Sequence, residues 1–434
     1  MKKTLLIIAL IISVPEIYSQ VEPLWIQDTS FVKELYIMKN KFQSLSFTGY
    51  LQLQYQKADS AGIQSFNGGD FPSYSDSRFM IRRGRFRLDF EKRTHEGFYR
   101  YNLALQFDGT ERGVNIRDMF GRIYENKWNC FVLTTGVFNR PFGYELNYSS
   151  SLRESPERGR MSQILMKTER DLGAMLSFEP QDKKNRFYPL KIDAGIFNGQ
   201  GLSGAGEFDS YRDFISRISL RRTKLTGNFY ISGSISYLNG GFANGSDVLF
   251  RTYRGTSGNW LFISDTSATN KGEKVPRKYY GTDIQLSWDN LIGRSEIRGE
   301  YITGVQSATY STSATPGVLP VNKLSQPEPV FERSFDGAYF YFLQTFMKKH
   351  QVILKYDWYD PNIKVKGSEL NSTGYFGPAD LRYNTYGAGY CYYMNENIKF
   401  VFYYDHPVNE SSVAKGYTRD IPDDTYTIRI QYRF

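Results

Sequence analysis

The sequence predicts an all-β fold, a transmembrane antiparallel β-barrel of about 16 strands with short periplasmic turns and long external loops. Three observations predict it. Many segments near the ~9–11 residues of a tilted membrane strand alternate apolar and polar side chains. The connections between them alternate short and long, and the chain ends on an aromatic strand. Successive side chains of a strand point to opposite faces, so alternation gives one face fit for lipid and one fit for water.

Taken in order, residues 1–19 read as a signal peptide: Lys2 and Lys3, the apolar run Leu5 to Ile12, then Pro15 and the small Ser19. That run is too short to cross a bilayer as a helix, and no later segment offers ~18 consecutive apolar residues. Residues 20–45 do not alternate and are expected to form an N-terminal periplasmic segment, either a short helix capped by Ser30 or a linker. The barrel is assigned to residues 46–434. Its strands are expected near 46–57, 79–91, 97–108, 116–125, 129–138, 171–180, 189–197, 212–222, 226–238, 279–289, 294–304, 337–347, 350–358, 383–394, 398–406 and 424–434. The turns at 290–293, 348–349 and 395–397 are short. The connections 58–78, 139–170, 239–278, 305–336, 359–382 and 407–423 are long and rich in Gly, Ser, Asn and Pro. An even strand count leaves both termini on the periplasmic side.

In the last strand Tyr426, Ile428, Ile430, Tyr432 and Phe434 share one parity, and Thr427, Arg429, Gln431 and Arg433 the other. The ending, Tyr432 and Phe434, resembles the signal that barrel-assembly machinery reads, so that machinery and outer-membrane lipid are expected partners. The competing assignment is the closing strand of a soluble sandwich.

Composition agrees. Aromatic residues make up 16% of the 434 residues, with 34 Tyr and 32 Phe, side chains suited to membrane interfaces. The mean hydropathy of −0.49 excludes a helical membrane protein but not a barrel. Two cysteines, Cys130 and Cys391, provide no disulfide framework. The formal charge is +9, and roughly +8 once residues 1–19 are removed. No run of five Lys or Arg occurs, so nucleic acid is not an expected partner, and small anions are.

The charges sharpen this expectation. In strand 79–91, Gly84, Phe86, Leu88 and Phe90 take the lipid parity, and Arg83, Arg85, Arg87 and Asp89 the inner one. An arginine facing lipid at mid-membrane costs ~2–4 kcal/mol, so these should face water. In the next strand Arg100, Asn102 and Gln106 face inward. Arg122, Arg217, Arg221, Lys355 and Arg429 are further inward candidates, and Asp89, Asp118, Glu296 and Glu300 would cancel part of their field. Guanidinium forks match phosphate and carboxylate oxygens and stay charged, so a series of them is an anion path. A water-filled lumen with ordinary charges is the plainer alternative. Loop 139–170 contains Arg140, Arg153, Arg158, Arg160, Lys167 and Arg170, and either folds into the lumen as a constriction or stays a solvated surface loop.

A family resemblance rests on three segments: Gly136-Val137-Phe138-Asn139-Arg140-Pro141-Phe142-Gly143, Ser155-Pro156-Glu157-Arg158, and Glu169-Arg170-Asp171-Leu172-Gly173. Together with the arginine-rich second strand and Phe197-Asn198-Gly199-Gln200-Gly201, the chain from about residue 46 resembles the phosphate-selective porin O and P family. The resemblance implies a sixteen-stranded, usually trimeric outer-membrane barrel of a Gram-negative bacterium. It also implies passage of phosphate or polyphosphate along inward Arg and Lys. Where that family commonly has a small polar residue after the Glu-Arg of its third loop, this chain has Gly159-Arg160.

Other motifs point elsewhere. Gly199 to Gly204 satisfies a dinucleotide-binding pattern, but no helix is expected after it, so no cofactor is implied. Of three histidines, His95 and His350 lie at turns. Asp405-His406 sits where barrel proteases place acid–base groups, though strand neighbours point to opposite faces. No catalytic constellation and no metal-ligand spacing recurs. Loops 239–278 and 305–336, with Trp260, offer an alternative: specific uptake or adhesion. Strand 337–347 is apolar on both parities from Tyr339 to Leu343, which suits either a subunit contact or an aromatic lumen patch.

Overall fold

The computed structural model describes residues 45–93, 100–202, 206–256, 258–370 and 375–434. The expected signal peptide, residues 20–44 and His95 lie outside them. Phe47–Phe434 forms one compact unit.

The strands are β1 (Leu45–Ala58), β2 (Ser77–Arg93), β3 (Arg100–Thr110), β4 (Gly113–Tyr124), β5 (Phe131–Asn139), β6 (Arg170–Phe178), β7 (Leu190–Phe197), β8 (Asp213–Thr226), β9 (Phe229–Ala243), β10 (Leu249–Arg254), β11 (Trp260–Asp265), β12 (Lys274–Asp289), β13 (Gly293–Ala308), β14 (Val330–Phe346), β15 (His350–Asp360), β16 (Tyr383–Tyr393), β17 (Ile398–Asn409) and β18 (Thr425–Arg433). All except β10 and β11 form a closed 16-strand antiparallel barrel. Each strand of the ring pairs with the next, β9 passes to β12, and β18 closes on β1. β10 and β11 are a hairpin within the expected loop 239–278, and β10 runs parallel to the start of β14. The neighbouring strands extend further into the expected loops than the sequence suggested: β9 to Ala243, β13 to Ala308 and β14 from Val330.

Closure depends on the chain end. The registers run from Tyr50 opposite Arg433 to Ala58 opposite Thr425. Gly49 and Phe434 exchange backbone hydrogen bonds of 3.1 and 3.0 Å. A Cβ at Gly49 would lie 2.5 Å from the Phe434 ring, so glycine makes room for it. That ring packs with Phe47 and Phe86 at centroid separations of 5.5 and 5.8 Å. Tyr432 and Phe434 are exposed on the outer surface with Tyr426 and Ile428, while Thr427, Arg429 and Gln431 are buried inside.

Alternation fails at two places on the arc of β2 to β4. In β4, Asp118 lies opposite Gln106 and Ile116 opposite Phe107, so Arg117 is an extra residue. This bulge turns Arg117 inward beside Asp118. In β2, Met80 and Arg82 contact Gln54 and Glu157, and below them Arg83 and Arg85 are buried, so the inner parity changes between Arg82 and Arg83.

The apolar core lies inside the barrel. Phe142, Leu146, Met161 and Leu165 from the β5–β6 loop pack against Phe138, Met175, Phe197, Ile215, Leu238, Tyr279, Ile302, Phe335 and Tyr359 of the wall. On another arc Tyr339, Tyr341 and Leu343 join Ile353, Cys391, Val401 and Tyr403. The inner half of the doubly apolar β14 is therefore an aromatic lumen patch, while Phe340 and Phe342 face outward and are exposed. The long loops pack on one another through Phe262, Phe331, Val365, Leu370, Phe376 and Leu381, with Trp260 packed against this cluster. Cys130 and Cys391 are both buried free thiols.

Candidate functional site

Loop 140–169 crosses the lumen, which decides between the two placements left open by the sequence. From one side Glu300 of β13 accepts the backbone N–H groups of Tyr144 and Glu145 at 3.2 and 2.9 Å. Elsewhere Ser155 pairs with the Tyr341 hydroxyl at 2.8 Å, and Lys399 donates to the carbonyls of Ser151 and Arg153 at 3.3 and 2.9 Å. Gly143 permits the turn onto Glu300: its φ is +62°, and any Cβ would collide with that carboxylate. The short helix α1 (Arg160–Leu165) then buries Met161 and Leu165, and the Glu145 carboxylate receives the Gly159 N–H just before it at 2.9 Å.

Acidic loop residues meet wall arginines. Glu154 and Arg298 form a two-pronged ion pair of 2.8 and 3.0 Å. Glu157 receives Arg82 Nε at 2.7 Å, Arg83 Nη2 at 2.5 Å and Arg429 Nη2 at 3.2 Å. Glu169 receives Arg170 at 2.7 Å and also pairs with Arg117. Burial opposes the charge of Glu157, yet Arg82, Arg83 and Arg429 hold its carboxyl well below the usual range. Burial likewise opposes ionisation of Glu169, and Arg117, Arg158 and Arg170 overcome it.

The structure gathers part of the expected arginine set. Arg83 is clamped as above. Arg85 meets Asp108 at 2.9 Å, Tyr50 at 2.7 Å and Ser150 at 2.6 Å. Arg87 meets Asp89 at 2.6 Å and Asp118 at 3.1 Å. Arg100 pairs with Glu91 at 2.9 Å and lies over Tyr124. Arg122 lies over Phe120 at 5.7 Å and makes no ion pair among the described residues. These residues and Arg429 share one arc of wall, β2 to β4 with β18 beyond β1. Arg217, 3.6 Å from Asp283, Arg221, 3.4 Å from Glu179, and Lys355, 2.7 Å from Asp357, stand on β8 and β15, away from that arc.

The loop candidates divide in the same way. Arg170 joins the arc through Asp118 at 2.7 Å. Arg140 binds the Thr168 carbonyl, Arg153 the Tyr148 carbonyl at 3.3 Å, and Arg158 the Ser162 carbonyl at 3.0 Å, so these three hold the loop's own shape. Arg160 stacks on Tyr383 at 3.5 Å, and Lys167 is exposed. Arg82, Arg117 and the inward ladder Gln52, Gln54 and Gln56 were not anticipated. A cavity of about 270 Å³ lies along the arc, lined by Arg85, Arg87, Arg117, Arg170 and Arg433, by Gln106 and Asn139, and by loop residues Tyr148 to Ser151.

The remaining motifs have structural uses. The Gly199 N–H donates to Asp171 at 2.7 Å and its carbonyl accepts from Arg277 at 2.8 Å, in a strand-to-strand loop. Asp405 is buried against Asn67, whereas His406 points away and pairs with Asp424 at 2.7 Å, so the adjacent Asp and His do not meet.

A closed 16-strand antiparallel wall with the β5–β6 loop folded inside is a porin-like barrel fold. Solved structures agree on the fold. The outer membrane channel DcaP of Acinetobacter baumannii matches with a TM-score of 0.53 at 11% identity, covering 90% of this chain and 97% of that one. The anion-selective porin from Comamonas acidovorans matches at 0.51 and 11%, covering 90% and 99%. A loop L8 deletion mutant of OmpT, an outer membrane protein of Vibrio cholerae, matches at 0.51 and 10%, covering 90% and 99%. No family model matches the chain, and no curated protein matches it in sequence.

Proposed function

We propose that the chain is a non-enzymatic porin of a Gram-negative outer membrane that gives small anions passive passage, phosphate or a related species being the preferred solute. The observation carrying this reading is the arc of inward guanidiniums beside a cavity that the loop narrows. Arg100, Arg122, Arg87 and Arg85 follow one another along β2 to β4, with Arg83 and Arg82 beyond them. An anion moving past them exchanges hydration for forked N–H donors in succession, and no single donor traps it. Carboxylates such as Asp108 and Asp118 moderate the field, which favours passage over tight retention.

The sequence resemblance to the phosphate-selective O and P porins supports the choice of solute. The anion-selective porin from Comamonas acidovorans shows that this fold can serve anions. In the same reading, residues 1–19 direct export, Tyr432 and Phe434 present the closing strand to the assembly machinery, and three copies associate, as in the trimer form of Vibrio cholerae OmpT. The loop packing implies small unitary currents.

The test is single-channel recording of purified protein in planar bilayers, in potassium chloride, then with added phosphate, then with added neutral sugar. Anion-carried current reduced by phosphate and indifferent to sugar supports the proposal. Equal permeation by cations, or a sugar effect as large as that of phosphate, contradicts it.

A further inference from the structure

We infer that Arg82, Arg83 and Arg429 form an oxyanion site that the chain's own Glu157 occupies, and that a phosphate-class oxyanion takes the site by displacing that side chain. This deepens the anion-porin reading and rests on it for the ligand's identity, although its test does not require conduction.

The geometry is that of a bound anion. The Glu157 carboxylate receives five N–H donors: Arg82 Nε and Nη2 at 2.7 and 3.1 Å, Arg83 Nη1 and Nη2 at 3.0 and 2.5 Å, and Arg429 Nη2 at 3.2 Å. None of these arginines pairs with another carboxylate among the described residues. Their other partners are neutral: Gln52 for Arg83 at 3.1 Å, Gln54 for Arg429 at 2.9 Å, and the Pro156 carbonyl for Arg429 at 2.8 Å. Three cations thus face one anion of single charge. A dianion with more oxygens satisfies the same donors better, whereas chloride, a single acceptor atom, cannot serve three forks with separate oxygens.

Access follows from position. Alternate residues on a strand stand ~6.6 Å apart, so Arg85, which lines the open cavity, is the next inward neighbour of Arg83. Glu157 belongs to the loop and not to the wall, so its exchange for a free oxyanion frees the loop's middle while the strands stay paired. A structural clasp would need its carboxylate permanently; a tethered occupant gives way to a better ligand.

The experiment titrates detergent-purified full-length protein with inorganic phosphate by calorimetry, comparing the native chain with Glu157→Gln, which preserves shape and removes the charge. Phosphate should bind the variant at least tenfold more tightly, and adding Arg82→Gln should remove most of that gain. Chloride at equal ionic strength should produce no comparable binding. As a second measurement on the native chain, phosphate should hasten protease cleavage within residues 140–169. Equal phosphate affinity with and without the Glu157 charge, or cleavage unaffected by phosphate, overturns the inference. A channel that conducts anions yet shows equal affinities loses this site alone; a protein that does not conduct but shows the tightened binding loses the porin reading alone.

Discussion

The ion pair between Glu154 and Arg298 gives the strongest handle on the loop. Its two bonds of 2.8 and 3.0 Å are shielded from water, the side chains being 6% and 7% exposed. Arg298 also lies over the Tyr148 ring at 4.7 Å. Replacing Arg298 by Met leaves the buried Glu154 carboxylate with the Tyr148 hydroxyl, at 3.3 Å, as its one remaining side-chain hydrogen-bond partner among the described residues. Breaking a buried pair from one side costs ~3–5 kcal/mol, whereas replacing both partners by apolar groups is often neutral. At about 1.4 kcal/mol per factor of ten, the single change shifts the seated loop toward release by roughly two to four orders of magnitude. Arg298→Met should therefore show larger, noisier single-channel currents and faster proteolysis of residues 140–169, and Glu154→Met with Arg298→Met should restore both toward native values. A single variant as quiet as the native channel, or a double variant as leaky as the single one, refutes this account of how the loop is held.

Replacing Arg85 and Arg87 together by Gln should leave the barrel folded, as judged by heat-dependent migration on gels, and move the reversal potential toward cations; no shift would remove these residues from the ion path. In the native channel selectivity should weaken as salt rises, because screening shortens to ~3 Å near 1 M. Asp423, in the loop before β18, is pushed up to about 7 by burial, with Asp420 and Asp424 adding to the effect and Arg160 opposing it. Because this raised group holds its proton in the folded protein, its stabilisation is complete below the ordinary aspartate value of 3.8 and is lost as pH rises through about 7. Protection factors in residues 410–424, each taken relative to the intrinsic exchange rate at its pH, should accordingly be higher at pH 5 than at pH 8, and Asp423→Asn should remove the difference. Gly143→Ala should cost about 1–2 kcal/mol for the left-handed backbone alone, plus the clash with Glu300, seen as a lower unfolding temperature.

The barrel was legible because lipid leaves the backbone few choices. Tyr426, Ile428 and Phe434 must face out, Thr427, Arg429 and Gln431 must face in, and one ring must close. The same rule placed Arg83, Arg85 and Arg87 inside. It failed at Arg82 and Arg117, where a change of parity breaks the two-residue period. The cost of arginine in lipid is itself the missing signal, since Arg82-Arg83 and Arg117-Asp118 each put a charge on both parities. The loop's position was not legible. Glu157 meets Arg83, 74 residues before it, and Arg429, 272 residues after it, the latter only once the last strand has closed the ring, and nothing local encodes that meeting. Once the loop is inside, the doubly apolar Tyr339 to Leu343 segment explains itself, because its inner half packs in the lumen with Tyr144 of the loop.

The central claim is that water and ions pass along a guanidinium-lined arc inside this closed wall. The reversal potential of single channels across a tenfold gradient of potassium chloride tests it most directly. The account predicts the sign set by chloride at low salt, shrinking as both baths approach 1 M; a potassium-signed potential, or a correctly folded barrel that carries no current, would contradict it.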